Sequence, residues 1–356
     1  KNKANDINRY KKLDFKKIKI QINLSELNIE VKLQKPKILI KNNQIVLSKL
    51  NIFLPLKSFI TSDFLLKRTE VAFIKNDIKD LTKITSIFVP AIVNKKIKKI
   101  FHKGSLEGEL IVPFEPDGKI GTDYIFNGKI SDASINLTKE FSINKLTTEI
   151  THSKINDKDE FEIKIKKGFL YNIELSDSKI NLEYQKNNIK AETLLRTKGK
   201  IDFSQIKKIT KLFGLSINNL KDINGKIDLK TDINFVLNKK FKVENLLYLT
   251  EGDINYLEIH TNETKIINKY LPDFNSKIVF KDNKIKFENS KSNSTLELSG
   301  FLNIKDYFDS FKIKNIYDYS KKSFAINGLL DLTNTKVTVA ELNYNKNYKK
   351  KIQTKL

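Results

Sequence analysis

The amino-acid sequence predicts a mainly β protein: an elongated, curved, mostly antiparallel sheet with a few short helices. Three observations lead there. Long stretches alternate apolar and polar residues with the period of two that gives a strand one dry and one wet face. Ten of the twelve glycines have Ile or Leu two residues later, whereas 87 Ile and Leu in 356 residues would give about three by chance, so the glycines are in step with the strands. Helical spacing, by contrast, is confined to two places, 77–103 and 203–213.

The alternation is clearest from Gly104 to Leu137. Leu106, Leu110, Val112 and Phe114 share one parity, with Ser105, Glu107 and Glu109 on the other. After a turn at Asp117-Gly118, Tyr124, Phe126 and Ile130 return to the first parity, but Ala133, Ile135 and Leu137 do not, which predicts a β-bulge near Ser131-Asp132. Asn-Gly with Ile or Leu two positions after the glycine, as the first inward residue of the next strand, recurs at Asn127-Gly128, Asn224-Gly225 and Asn327-Gly328. Asn-Gly supplies the positive φ of a tight hairpin turn, so a turn is expected at each.

Five blocks follow in chain order. Residues 1–76 read as N-terminal strands: Ile18, Ile20, Ile22 and Leu24, then Leu27, Ile29, Val31 and Leu33, then Ile38 and Ile40, and Leu50 to Leu56, with a less regular passage to Ile74. Residues 77–103 read as a two-helix element. Ile78, Leu81, Ile84 and Phe88 follow Asn76 or Asp77 as N-cap, Pro90 interrupts, and a second helix runs from Ala91 to Lys103 with Gly104 as its C′ residue. Residues 104–200 are a strand repeat that continues with Phe161, Ile163, Ile165, Phe169 and Tyr171, then Ile180, Leu182 and Tyr184. Residues 201–340 open on a helix, Phe203 to Phe213, with Asp202 and Gln205 at capping-box spacing and Gly214 closing it. Ile227, Leu229, Ile233, Phe235 and Leu237 follow, then shorter strands at Ile278, Ile285, Leu296, Leu302 and Val337. Residues 341–356, mostly Lys and Asn, read as a polar tail.

Composition narrows the function classes. The net charge of +24 invites nucleic acid or an anionic membrane, but Arg occurs at Arg9, Arg68 and Arg196 alone and most Phe fall on the apolar parity. A solvated Lys-rich face explains the charge better, so no nucleic-acid partner is expected. Zero cysteines exclude disulfides and thiolate chemistry. The chain lacks methionine altogether and reads as one elongated segment, 1–356, of a larger protein whose targeting signal lies outside it. His102, His152 and His260 have no partners at metal-ligand spacing, and phosphate-loop, dinucleotide and nucleophile-elbow motifs do not occur. Neither catalysis, a metal nor a cofactor is expected.

One-sided strands outnumber the helices that could cover them. The dry faces therefore pack on each other as a closed sandwich, or another apolar material fills an open sheet, since bare apolar surface costs about 25 cal/mol per Å². The helical pair entering Gly104 to Leu110, the Asn-Gly-Lys-Ile segments, and the Asp202 to Gly214 helix leading to Asn224-Gly225 resemble the AsmA-like family over most of residues 77–340. The resemblance implies a β-taco-like groove in the periplasm, anchored to the inner membrane by a segment not present here. It further implies that the groove carries phospholipid acyl chains between inner and outer membranes of a Gram-negative envelope. The candidate lining is Leu106, Leu110, Val112, Phe114, Tyr124, Phe126, Ile130, Phe161, Ile163, Ile165, Ile227, Leu229, Ile233 and Phe235. The alternative is a structural or adhesive β-repeat protein of the envelope with a closed sandwich core.

Overall fold

The computed structural model describes residues 11–40, 43–59, 65–85, 99–119, 121–136, 140–155, 158–185, 188–212, 217, 219–239, 242–262, 264–305, 307–350 and 353–355. The protein is mainly β, and its strands pair antiparallel in every ladder given below. The chain divides into two units, 1–169 with 179–189 and 170–178 with 190–356.

In the first unit the N-terminal alternation becomes two interrupted strands laid side by side. β1 (Lys11–Asp14) and β2 (Lys17–Asn23) pair respectively with β4 (Lys37–Ile40) and β3 (Asn28–Gln34), and both β3 and β4 pair with β5 (Asn43–Pro55). Lys35, at φ 50°, and Pro36 make the break between β3 and β4, because Pro cannot donate to a ladder. β5 then pairs with β6 (Arg68–Asp77), β6 with β7 (Phe101–Pro113), β7 with β8 (Tyr124–Asn136) and β8 with β9 (Ser142–Ile155), which neighbours β10 (Lys158–Leu170). Helix α1 (Ile78–Thr85) follows β6 directly. Asp77 Oδ1 accepts the Lys79 N–H at 2.7 Å, an N-cap, and Ile78 and Leu81 turn inward. Leu81 completes a buried cluster with Leu33, Ile45, Leu47 and Leu50.

The second unit repeats the plan. Parts of β11 (Ile173–Gln185) and β12 (Asn188–Asp202) precede helix α2 (Phe203–Leu212), and β13 (Leu220–Leu237) pairs with β14 (Val243–Thr261). After helix α3 (Thr264–Tyr270), β15 (Lys277–Asn289), β16 (Asn293–Asn303), β17 (Phe308–Asp318) and β18 (Ser323–Asp331) each pair with the next. β14 pairs with β15 as well. The predicted capping box forms at α2: Gln205 N–H donates to Asp202 Oδ1 at 2.9 Å, and Asp202 N–H to Gln205 Oε1 at 3.1 Å. Ile206 of this helix packs on Ile173, Ile201 and Ile227.

Several expectations need correction. The second helix does not reach Lys103: Phe101 to Pro113 is strand, and residues 91–98 lie outside the described residues. Gly104 is a bulge residue of β7 at φ 140°, where a Cβ would stand 2.8 Å from Ala133 Cβ. The three Asn-Gly pairs are not turns. They lie inside β8, β13 and β18, and their glycines do not have positive φ. Residues 278–287 are one strand rather than two, with the parity change absorbed by a bulge at Asp282 (φ 52°), and Leu296 and Leu302 share another. The tail contributes strands: β20 (Tyr344–Lys346) pairs with β19 (Val337–Val339), and β21 (Gln353–Lys355) pairs with β18. Lys346 is 2% exposed, its ammonium donating to the carbonyls of Leu332, Thr333 and Thr335. Two further features are as predicted: the turn at Asp117-Gly118, where the Gly118 N–H, at φ 81°, donates to Glu115 O, and the bulge at Asp132, φ 50°. The predicted Phe213 and Gly214, with Phe88, Pro90 and Leu137, lie outside the described residues.

Candidate apolar face

Opposed residues of an antiparallel pair share a face, so the ladders trace each face from strand to strand. In the first unit Leu33 stands opposite Leu50, Leu50 opposite Val71, Val71 opposite Leu110, Leu110 opposite Phe126, and Phe126 opposite His152. Parallel to this row, Leu106 meets Ile130 and Thr69 meets Val112. Phe161 extends the face onto β10, its ring stacked on His152 with centroids 3.5 Å apart. Phe73 and Phe126 stack at 6.3 Å, and Tyr124 meets His152 edge-on at 5.0 Å. Leu106, Leu110, Val112, Tyr124, Phe126, Ile130 and Phe161 therefore lie together. Ile163 and Ile165 share the parity of Phe161, and Ile165 is buried. Phe114 sits just past β7, its N–H bonded to Lys67 O.

The face is covered unevenly. Helix α1 shields one end, where Ile130 is only 5% exposed, and Gly104 and Ala133 close up beneath Ile78. Away from the helix, Leu110, Val112, Tyr124, Phe126 and Phe161 are half-buried: neighbouring strands flank them, and part of each side chain stays open. On β2, Ile18, Ile20 and Ile22 stand opposite Leu33, Val31 and Ile29, and Ile20 is 67% exposed.

Ile227, Leu229, Ile233 and Phe235 belong to the second unit, on β13. Ile227 is buried beneath α2 and faces Ile254. Leu229 is half-buried and starts a row through Gly252, Ile285, Leu298, Ile313 and Gly328. Ile233 faces Tyr248, and Phe235 sits in a register shift between Asn234 and Val236. The apolar face of this unit also includes residues that the candidate lining leaves out, notably Ile254, Ile285, Leu298, Ile313 and the aromatic pair Tyr317 and Phe324, whose rings are 4.6 Å apart. Treating the parity change at Asp282 as a bulge, as at Asp132, would have found Ile285 and Leu298.

The opposite face carries the charge. Lys49 reaches Glu70 at 2.6 Å and Glu109 at 3.2 Å, and Glu107 faces Lys129. The hydrogen bond to Glu70, reinforced by Glu109, outweighs partial burial and raises the Lys49 ammonium pKa. Lys286 with Glu251, and Lys314 with Glu297, continue such pairs in the second unit. These are half-exposed pairs that fix which face is wet and add little stability singly.

Among the described residues, polar side chains interrupt the dry side at particular places. Asn76 mimics a strand partner, accepting Val46 N–H and donating to Val46 O, both at 3.1 Å. Asn283, 1% exposed beside Gly300, has no hydrogen-bond partner for either amide atom among the described residues. The histidines have close neighbours the sequence spacing did not reveal: His152 Nε2 is 2.8 Å from Asp159, His260 Nε2 is 2.8 Å from Glu258, and His102 meets Asn136.

No family model matches the sequence, and no curated protein or solved structure matches the chain.

Proposed function

We propose that the chain is a segment of an AsmA-like envelope protein whose apolar sheet face forms a groove. This groove carries phospholipid acyl chains between the inner and outer membranes of a Gram-negative bacterium. One observation carries it: the row from Leu33 through Leu110 and Phe126 to the rings of His152 and Phe161 crosses successive strands, yet among the described residues helix covers it at the α1 end alone. Contiguous half-open apolar surface of this kind is unfavourable in water and calls for an apolar occupant. Acyl chains suit a surface made of Leu, Val, Ile and flat aromatic rings with few polar groups. The sequence resemblance given above supports the same occupant and the same compartment.

Binding of a phospholipid with a fluorescent acyl chain tests the proposal. Leu110→Asp and Phe126→Asp should each weaken binding at least about tenfold, because an unpaired charge is costly among apolar chains. Glu107→Gln, on the wet face, should leave it unchanged. Circular dichroism confirms that each variant keeps its strands. Equal binding by all three variants, or none by the parent chain, would favour an envelope protein with a closed sandwich core.

A further inference from the structure

The dry face of the first unit bears a polar cluster that breaks its alternation. Asp159 has the parity of Phe161, Ile163 and Ile165, so β10 directs a carboxylate to the apolar side. His152 Nε2 lies 2.8 Å from Asp159 Oδ1 and 3.3 Å from the Tyr124 hydroxyl. The imidazole stacks on Phe161, and Phe161 meets Tyr184 with centroids 5.6 Å apart. Burial first, and the charge of Asp159 second, push both the Tyr124 and Tyr184 phenols above their usual range, so the carboxylate is within electrostatic reach of both. The Asp159 side chain keeps 28% of its surface, and its Oδ2 has no hydrogen-bond partner among the described residues.

This is not a proton relay. A relay sets the carboxylate and the reacting group on opposite ring nitrogens, and here Asp159 and Tyr124 both approach Nε2. Nor does the site suit an anion, since its open atom is a carboxylate oxygen. A carboxylate with one open oxygen, set among the rings of Tyr124, Phe161 and Tyr184, is matched to an organic cation. The ring faces attract positive charge, and the open oxygen accepts a charge-assisted hydrogen bond.

We propose that Asp159, Tyr124, Phe161 and Tyr184 hold the ammonium of a zwitterionic, ethanolamine-type phospholipid headgroup. The proposal rests on the acyl-carrying role above. Phe126, directly opposite His152, places the first apolar contact beside the cluster, so headgroup and chains would bind contiguously.

The test compares acyl-labelled phosphatidylethanolamine with its N-acetylated form, which has the same chains but no ammonium. The parent chain should bind the N-acetylated lipid about tenfold more weakly. Asp159→Asn should lose about the same factor for phosphatidylethanolamine while binding the N-acetylated lipid as the parent does. Equal affinity of the parent chain for the two lipids would overturn the headgroup site and leave the acyl-carrying role standing. Absence of binding to both would overturn the two together. The lipid-side comparison needs no variant, so it decides the matter even if Asp159→Asn fails to fold.

Discussion

Glu258 shows how single side chains set this protein's response to acid. Its carboxylate is held by the Tyr256 hydroxyl, by His260 Nε2 at 2.8 Å and by Lys277 Nζ at 2.9 Å, and these bonds lower its pKa from 4.5 to about 2. A carboxyl depressed in the folded state stabilises fully above its unfolded value and loses that contribution as pH falls through the folded value. Glu258→Gln should therefore lower the urea midpoint at pH 7, and the gap to the parent should close between pH 4.5 and 2. A gap unchanged across that window would contradict the assignment. Lys346 illustrates what sequence hides at this scale. Within a Lys- and Asn-rich stretch it looks like solvated tail, yet its ammonium replaces water with three backbone carbonyls, and burial lowers its pKa. The carbonyls come from the turn at Leu332 to Thr335, which pattern alone does not bring near residue 346.

At the scale of the strand, the glycine pattern has a different cause from the one its sequence suggests. Gly108 and Gly128 face each other in mid-sheet, and the Phe126 ring lies over them. A Cβ on Gly128 would come 2.6 Å from Phe126 Cζ, and one on Gly108 would come 2.5 Å from the Asn127 carbonyl oxygen. Glycine and the apolar residue two positions on are successive inward sites of one strand, the first left empty so that a neighbour can lie flat. Gly108→Ala should thus cost about 2 kcal/mol or more, as overpacking against backbone does. Gly118→Ala, at φ 81° with nothing within 4 Å of its Cβ, should cost about 1 kcal/mol. Urea denaturation gives the ranking, and the reverse order would mean that turn conformation governs these glycines after all. Strand existence was legible where aliphatic inward sites alternate along the strand, as in β2, β3, β7 and β13. It was not legible in β9, whose inward sites include Thr148 and His152, or in β14, where Thr250 and Gly252 occupy them and Asn245 adopts φ 52°. α2 was readable because its capping box is local. α3, only seven residues long, was not.

At the scale of the molecule, each unit is a sheet with one charged face and one apolar face, and a short helix shields part of the apolar side. The face assignment was legible from parity alone, as the pairing of Leu110 with Phe126 and of Glu107 with Lys129 shows. What fills the open part of the apolar side is a property of partners that alternation does not encode. Photo-crosslinking in cells addresses it most directly. With a crosslinker at Leu110 or Phe126, phospholipid adducts should form, and with one at Glu107 or Glu109 they should not. Adducts at Glu107 and Glu109 alone, or at none of the four positions, would contradict a lipid-carrying face.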